Sequence, residues 1–144
     1  MMHISHITAT TSACVGTVWR YMSSPDHWPL WQENVKRVML HGHFRQGTSG
    51  VMVMKDSGEL CFSVLAHQPY SHYVIAVTTP FGGECVIRRA CSADDDLIRI
   101  VEEVHFVGTW RERFFMGRLK SVYREDATRA MSGLWGFLEG LSAD

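Results

Sequence analysis

FFMGRLKSVYREDATRAMSGLWGFLEGL, residues 114–141, is the segment that everything upstream has to serve. Phe115, Leu119, Val122, Ala130, Leu134 and Leu141 recur at steps of three, four or their sums, and Met131 and Leu138 widen the same stripe. Arg118, Lys120, Arg124, Glu125, Asp126 and Arg129 fall mostly on the other side. That period, uninterrupted by proline, predicts an amphipathic α-helix over Phe114–Leu141, about 40 Å long at ~1.5 Å per residue. A helix of that length needs a partner for its apolar stripe, and the residues upstream of Val107 must supply it. Gly117, Gly133, Gly136 and Gly140 sit on the same helix, each costing roughly 0.5–1 kcal/mol relative to alanine in a helix interior. They read either as a frayed last turn or as room left for something beside Trp135.

Upstream, Ile4–Thr10 is short and β-branched and reads as a first strand. Thr11 and Ser12 offer a helix N-cap. Val15, Val18, Trp19 and Met22 form a helical stripe stopped by Pro25. Asp26–Asn34, DHWPLWQEN, reads as a broken turn or a short second helix. From Val35 the apolar period changes to two, which predicts strands at Val35–Leu40, Val51–Met54, Leu60–His67, Tyr73–Thr79, Cys85–Cys91 and Leu97–Val107. Turn-forming residues separate them, including Asp56-Ser57-Gly58 and Ala93–Asp96. Connections this short make neighbouring strands antiparallel. A sheet with one polar face must bury the other, and the long helix is the only element large enough to cover it.

The bulk numbers narrow the function classes. At 144 residues the chain suggests one domain, residues 1–144, able to fold without a disulfide or metal. A formal charge of -1 argues against nucleic acid, and no Lys/Arg run argues for an anionic membrane. Cys14, Cys61, Cys85 and Cys91 match no zinc spacing, so free thiols in a reducing cytoplasmic compartment are expected. The N-terminus has no apolar signal-peptide core, and no run approaches the ~20 apolar residues that span a bilayer. Eight histidines show no HxxxH or HExxH pattern, so no metal is expected; no cofactor motif is present either.

The element order, the DHWPLW segment at Asp26–Trp31 and the Gly-x-x-Gly turn at Gly47–Gly50 together resemble the polyketide cyclase/dehydrase group of the START-like superfamily, the birch-pollen-allergen-like helix-grip domains. The resemblance covers nearly the whole chain. It implies an α+β helix-grip domain: a curved antiparallel sheet of about seven strands wrapped on the C-terminal helix, two short helices after the first strand, and an apolar cavity between sheet and helix. It also implies a hydrophobic small-molecule ligand. The superfamily holds enzymes, lipid carriers and chaperone regulators, so fold alone does not choose among them.

Strand parity names the candidates. Ile98, Ile100, Glu102, Val104 and Phe106 share the more apolar face of the last strand, which should meet the helix. With Ala93–Asp96 as a four-residue loop, Arg89 joins that face, diagonal to Glu102. The pair reads either as a partly wet salt bridge at the sheet edge or as a polar anchor in which Arg89 orients a ligand carbonyl and Glu102 accepts a proton. Tyr73, Phe62, Phe106, Met131, Trp135 and Trp31 are the expected ligand-binding residues. The function read from these is binding of a hydrophobic small molecule by a monomer or homodimer, with cyclisation or dehydration of a polyketide-like ligand if the protein is an enzyme. The alternatives are a noncatalytic carrier of lipid, quinone or hormone-like ligand, or a protein-interaction module with an exposed apolar patch around Trp28–Trp31.

Overall fold

Seven strands form one antiparallel sheet in the order β1-β7-β6-β5-β4-β3-β2. The strands are β1 (Met2–Thr11), β2 (Val35–Leu40), β3 (Ser49–Met54), β4 (Glu59–Gln68), β5 (His72–Thr78), β6 (Glu84–Asp94) and β7 (Leu97–Val107). Helix α1 (Val15–Ser23), a 3₁₀ turn at Pro25–His27 and helix α2 (Trp28–Trp31) carry the chain from one sheet edge to the other. Helix α3 (Trp110–Ser142) closes the chain against the sheet. This is the helix-grip arrangement anticipated above. The structure, a computed structural model, describes residues 1–56 and 58–142; Ser57 of the predicted Asp56–Gly58 turn and residues 143–144 lie outside the described residues.

α3 starts four residues before the expected Phe114. Thr109 and Glu112 form a capping box: the Thr109 N–H donates to Glu112 Oε1 at 2.7 Å and the Glu112 N–H to Thr109 Oγ1 at 3.3 Å. The buried face of α3 keeps the expected Ala130, Met131, Leu134 and Leu138 but departs from the expected stripe in the first half of the helix. Met116, Ala127, Met131, Leu134 and Leu138 are buried, with Tyr123 and Ala130 half-buried, whereas Phe115, Leu119, Val122 and Leu141 are exposed. The sequence carries two apolar sets at helical spacing, one residue and therefore about 100° apart, and periodicity ranks neither. Contact with the sheet selects the second.

The C-terminal end of α1 is tied down by aromatic side chains. Trp31 Nε1–H donates to the Tyr21 carbonyl at 2.8 Å, and Trp28 Nε1–H to the Met22 carbonyl at 2.8 Å. The Tyr73 hydroxyl from β5 donates to the same Met22 carbonyl at 2.7 Å. These are the carbonyls that a helix end leaves without partners. The expected Thr11/Ser12 cap is not used: Cys14 takes the N-cap position, with no side-chain cap bond. Trp28 and Trp31 are buried, so the apolar patch expected around them is core; only Leu30 there is exposed.

Gly133 explains how α2 approaches α3. A β-carbon at Gly133 would overlap the Trp31 carbonyl oxygen, whereas one at Gly136 or Gly117 would meet open space. The room left by Gly133 is therefore filled by the α2 backbone, and the space expected beside Trp135 is an open groove between α3 and β1, lined by Ile7, Thr10, Met131, Trp135 and Gly136. Gly133→Ala should lose stability by roughly 1–3 kcal/mol through overpacking despite its better helix propensity. Gly136→Ala should gain a few tenths to ~1 kcal/mol. Urea unfolding of both variants checks this; equal stabilisation of the two would show that the approach is not a constraint.

Candidate functional site

The centre of the helix-facing sheet surface holds one charged cluster. Arg89 on β6 and Glu102 on β7 stand directly opposite one another and are 3 % and 1 % exposed. Arg89 Nε donates to Glu102 Oε2 at 2.7 Å, and Nη1 donates to the Tyr73 hydroxyl at 3.0 Å. Nη2 reaches Gln32 Oε1 at 3.4 Å. The guanidinium carbon also lies 5.0, 5.6 and 5.9 Å from the ring centres of Trp31, Trp28 and Tyr73, within cation–π range.

The pair was expected to be diagonal. The β6–β7 connection is a two-residue turn, Asp95-Asp96, rather than four residues, because Asp95 adopts a positive φ of 55°. Aspartate tolerates that region better than most residues. The pairing moves along the strand while side-chain parity is kept, so both charges stay on the helix side. Burial alone would depress the Arg89 charge, but Tyr73 and Glu102 outweigh it and hold Arg89 above its ordinary value. Burial raises Tyr73, against the pull of Arg89.

Arg89, Glu102 and Gln32 form the inner polar end of a pocket between α3 and the sheet, with a volume of about 160 Å³. Its walls are mostly apolar, including Met54, Leu60, Val77, Ile87 and Val104; Thr78, Tyr123 and Asp126 stand at the mouth. An apolar cavity of ~150 Å³ holds one benzene ring, so this volume admits about one ring and a larger ligand must extend through the mouth. The thiol and the phenol on the wall keep their protons. Burial, then the nearby Cys85 and Asp126, pushes the Tyr123 phenol up to about 12, and burial pushes the Cys85 thiol up to about 12. Burial also raises Asp126, with Arg129 opposing. Gln32 Nε2 is buried with no hydrogen-bond partner.

Of the residues named from sequence, Arg89 and Glu102 line this pocket and the other six do not. Tyr73, Phe62, Trp31 and Met131 belong to the larger core cluster, and Phe106 to the smaller one around Met116. Trp135 is 46 % exposed at the opposite flank, its Nε1–H donating to the Thr10 carbonyl at 2.9 Å. It was expected inward beside Gly133 and Gly136, but it stands about 100° round the helix from Leu134, off the buried stripe. Tyr123 was not named from sequence; its spacing to Met116, Ala127 and Ala130 is the available signal. Gln32 was legible only as the residue following Trp31. Among the described residues no three His, Cys, Asp or Glu side chains converge as metal ligands. Among the described residues no helix is long and apolar enough to cross a membrane.

No protein-family model matches the chain, and no curated protein matches it. Solved structures do. The chain is similar to DynU16, from the dynemicin biosynthetic locus, at 14 % identity and TM-score 0.74, covering 93 % of this chain and 46 % of that one. It is similar to the di-domain ARO/CYC StfQ from the steffimycin biosynthetic pathway at 10 % identity and TM-score 0.78, covering 99 % and 53 %. Ara h 8.0201 matches at 13 % identity and TM-score 0.67, covering 94 % and 97 %. The chain spans about half the length of DynU16 and StfQ. The fold is the START-like helix grip.

Two predictions follow from the buried cluster. Arg89→Met should cost about 3–5 kcal/mol, because it leaves Glu102 buried without its partner. The double variant Arg89→Met/Glu102→Leu should recover part of that loss, measured by a double-mutant cycle. Equal losses in the single and double variants would show that the orphaned charge is not the cost. The second concerns pH. The Cys85 thiol keeps its proton in the folded state above its ordinary value of 9.0. Stability from this group is therefore complete below pH 9 and falls between pH 9 and about 12, by up to about 1.4 kcal/mol per pH unit. Cys85→Ser should make the alkaline decline shallower; an unchanged slope would exclude this thiol as a contributor.

Proposed function

We propose that this domain binds a small, largely apolar molecule carrying a hydrogen-bond-accepting oxygen, held in the pocket between α3 and the sheet. The observation that carries this is the Gln32 amide. Its Oε1 faces Arg89, and its Nε2 is a buried donor without an acceptor in the pocket wall. An unmet donor in a buried site costs about 1–3 kcal/mol, which a ligand carbonyl or phenolic oxygen would relieve. Arg89 has five N–H groups and commits three of them to Glu102, Tyr73 and Gln32, so it can add a second donor. Apolar walls with a few convergent polar groups suit such a ligand.

A second reading adds chemistry. The Glu102 carboxylate lies on the pocket wall, and the likeness to the ARO/CYC StfQ supports a polyketide-like ligand whose cyclisation or dehydration passes a proton through Glu102, with Arg89 orienting the carbonyl. A noncatalytic carrier needs only the binding half.

Calorimetric titration with 1-tetralone and its hydrocarbon counterpart tetralin tests the binding reading. The ketone should bind about tenfold tighter, the value of one hydrogen bond of ~1.4 kcal/mol. Gln32→Leu should remove the difference. Equal affinities would refute the acceptor assignment, and no binding of either would refute the pocket. Glu102→Gln should keep ketone binding in both readings but abolish turnover of a poly-β-ketone thioester in the second.

A further inference from the structure

Between the edge strand β1 and α3 lies a second recess, open to solvent, lined by His3, Ser5 and His6 from the strand and by Arg124 and Thr128 from the helix. It shares no residue with the pocket described above. Its form begins with a bulge. The ladder pairs His3 with His105 and then Ser5 with Val104, so Ile4 is an extra residue on β1. Ile4 is nevertheless fully buried in the smaller core cluster. Ser5 stands opposite the buried Val104 and is only 4 % exposed. The bulge therefore turns two consecutive side chains, one apolar and one polar, to the helix side.

Two groups at the recess hold donors that nothing in the described chain accepts. Ser5 Oγ is buried and has no hydrogen-bond partner among the described residues, an arrangement that costs stability where an apolar side chain would not. Arg124 spends its Nε on the Ile4 carbonyl at 3.1 Å, which fixes the guanidinium at the strand edge. Its two terminal nitrogens meet no acceptor and no carboxylate among the described residues. Thr128 gives its hydroxyl proton to the Arg124 carbonyl at 2.9 Å and is not a donor here. No carboxylate among the described residues lines the recess. Glu103 pairs with His6 across the ladder without lining it, and Glu125 and Asp126 open on other grooves, Asp126 paired with Arg129.

We propose that this recess binds a tetrahedral oxyanion, the phosphoryl group of a monoester, between the Arg124 guanidinium and the Ser5 hydroxyl. The guanidinium offers its remaining N–H groups from the helix, and Ser5 offers one O–H from the strand. Donors that converge from two elements suit a tetrahedral group better than a planar carboxylate, which the guanidinium fork alone would satisfy. The bond from Nε to the Ile4 carbonyl holds the fork in place before any anion arrives, so less side-chain freedom is lost on binding. His3 and His6 add imidazole N–H groups at the margin. The same turn of α3 carries Tyr123, Asp126 and Ala127 on the wall of the apolar pocket. An anion bridging Arg124 to Ser5 therefore fastens that turn to β1.

Calorimetric titration of the full chain with inorganic phosphate, methyl phosphate and acetate tests this. None of the three is a ligand for the apolar pocket, so the outcome is independent of the function proposed above. Both phosphates should bind at millimolar concentration, and acetate should bind about tenfold more weakly. Arg124→Lys keeps the charge but not the fork and should lower phosphate affinity about tenfold. Ser5→Ala should lower it by about the same factor, the value of one hydrogen bond to a charged group. In phosphate-free buffer Ser5→Ala should melt no lower than the parent, because the hydroxyl it removes has no partner. Arg129→Gln, on the same helix but outside the recess, should leave phosphate affinity unchanged. Dihexanoyl phosphatidic acid below its micelle concentration separates the sources of the group: binding of methyl phosphate assigns a soluble monoester, binding of the phosphatidic acid alone assigns a lipid headgroup, and either keeps the site. Absence of phosphate binding, equal affinity for acetate, or phosphate affinity that survives both Ser5→Ala and Arg124→Lys overturns the proposal. So does a lower melting temperature of Ser5→Ala without phosphate, which would show the hydroxyl already engaged.

Discussion

The guanidinium of Arg89 sits where the sheet, α1 and α2 meet, and the rest of the domain is arranged to keep it there. A lone charge at that depth would be prohibitive. Glu102 neutralises it across one strand pair, Tyr73 accepts one of its protons, and Trp28 and Trp31 lay ring faces against it. Each of those partners is itself fixed. Tyr73 and Trp28 donate to Met22 and Trp31 donates to Tyr21, so the end of α1 is bound to the same cluster. The chain between β1 and β2 runs through two short helices and a 3₁₀ turn, and its path is set by these polar contacts inside an otherwise apolar core. Buried pairs add little net stability over apolar packing, but they penalise every arrangement that separates them.

Helix α3 is held by a different kind of contact at each level. Met131, Leu134 and Leu138 enter the larger core cluster, and Met116 and Ala127 the smaller one. Along β1, an edge strand, Arg124 donates to the Ile4 carbonyl and Trp135 to the Thr10 carbonyl, giving partners to groups that face no further strand. The pocket lies where neither cluster fills the gap, beside the small side chains Ala127 and Ala130.

The fold was legible because each strand declares itself by alternation and each connection by its turn residues. Val35–Leu40 and Leu97–Val107 match residue for residue, and the long terminal helix has no competing assignment. The site was less legible for three separable reasons. Two apolar stripes shared one period in the first half of α3, so Phe115, Leu119 and Val122 were assigned inward in place of Met116 and Tyr123. Register across β6 and β7 depended on a positive φ at Asp95, which sequence parity survives but pairing does not. Past Val64 the β4 ladder shifts at a bulge, so that His67 rather than Ala66 stands opposite the buried Tyr73, which alternation alone does not foretell. The start of α3 was readable after all: Thr109-Trp110-Arg111-Glu112 is a T-x-x-E capping signature.

Gly133 brings the α3 backbone against the Trp31 carbonyl, and the mechanical result is a fulcrum. From Gly133 to Tyr123 is ten residues, about 15 Å along the helix. A tilt of about 10° about that point would swing Tyr123 by ~2.5 Å and the helix start at Trp110 by ~6 Å. Backbone there cannot yield as side chains do, whereas the first half of α3 is held by side chains, Met116 in the smaller core cluster and the Phe115 ring against Phe81. The pocket lies nearer the rigid point, where a small tilt gives fine adjustment of its width.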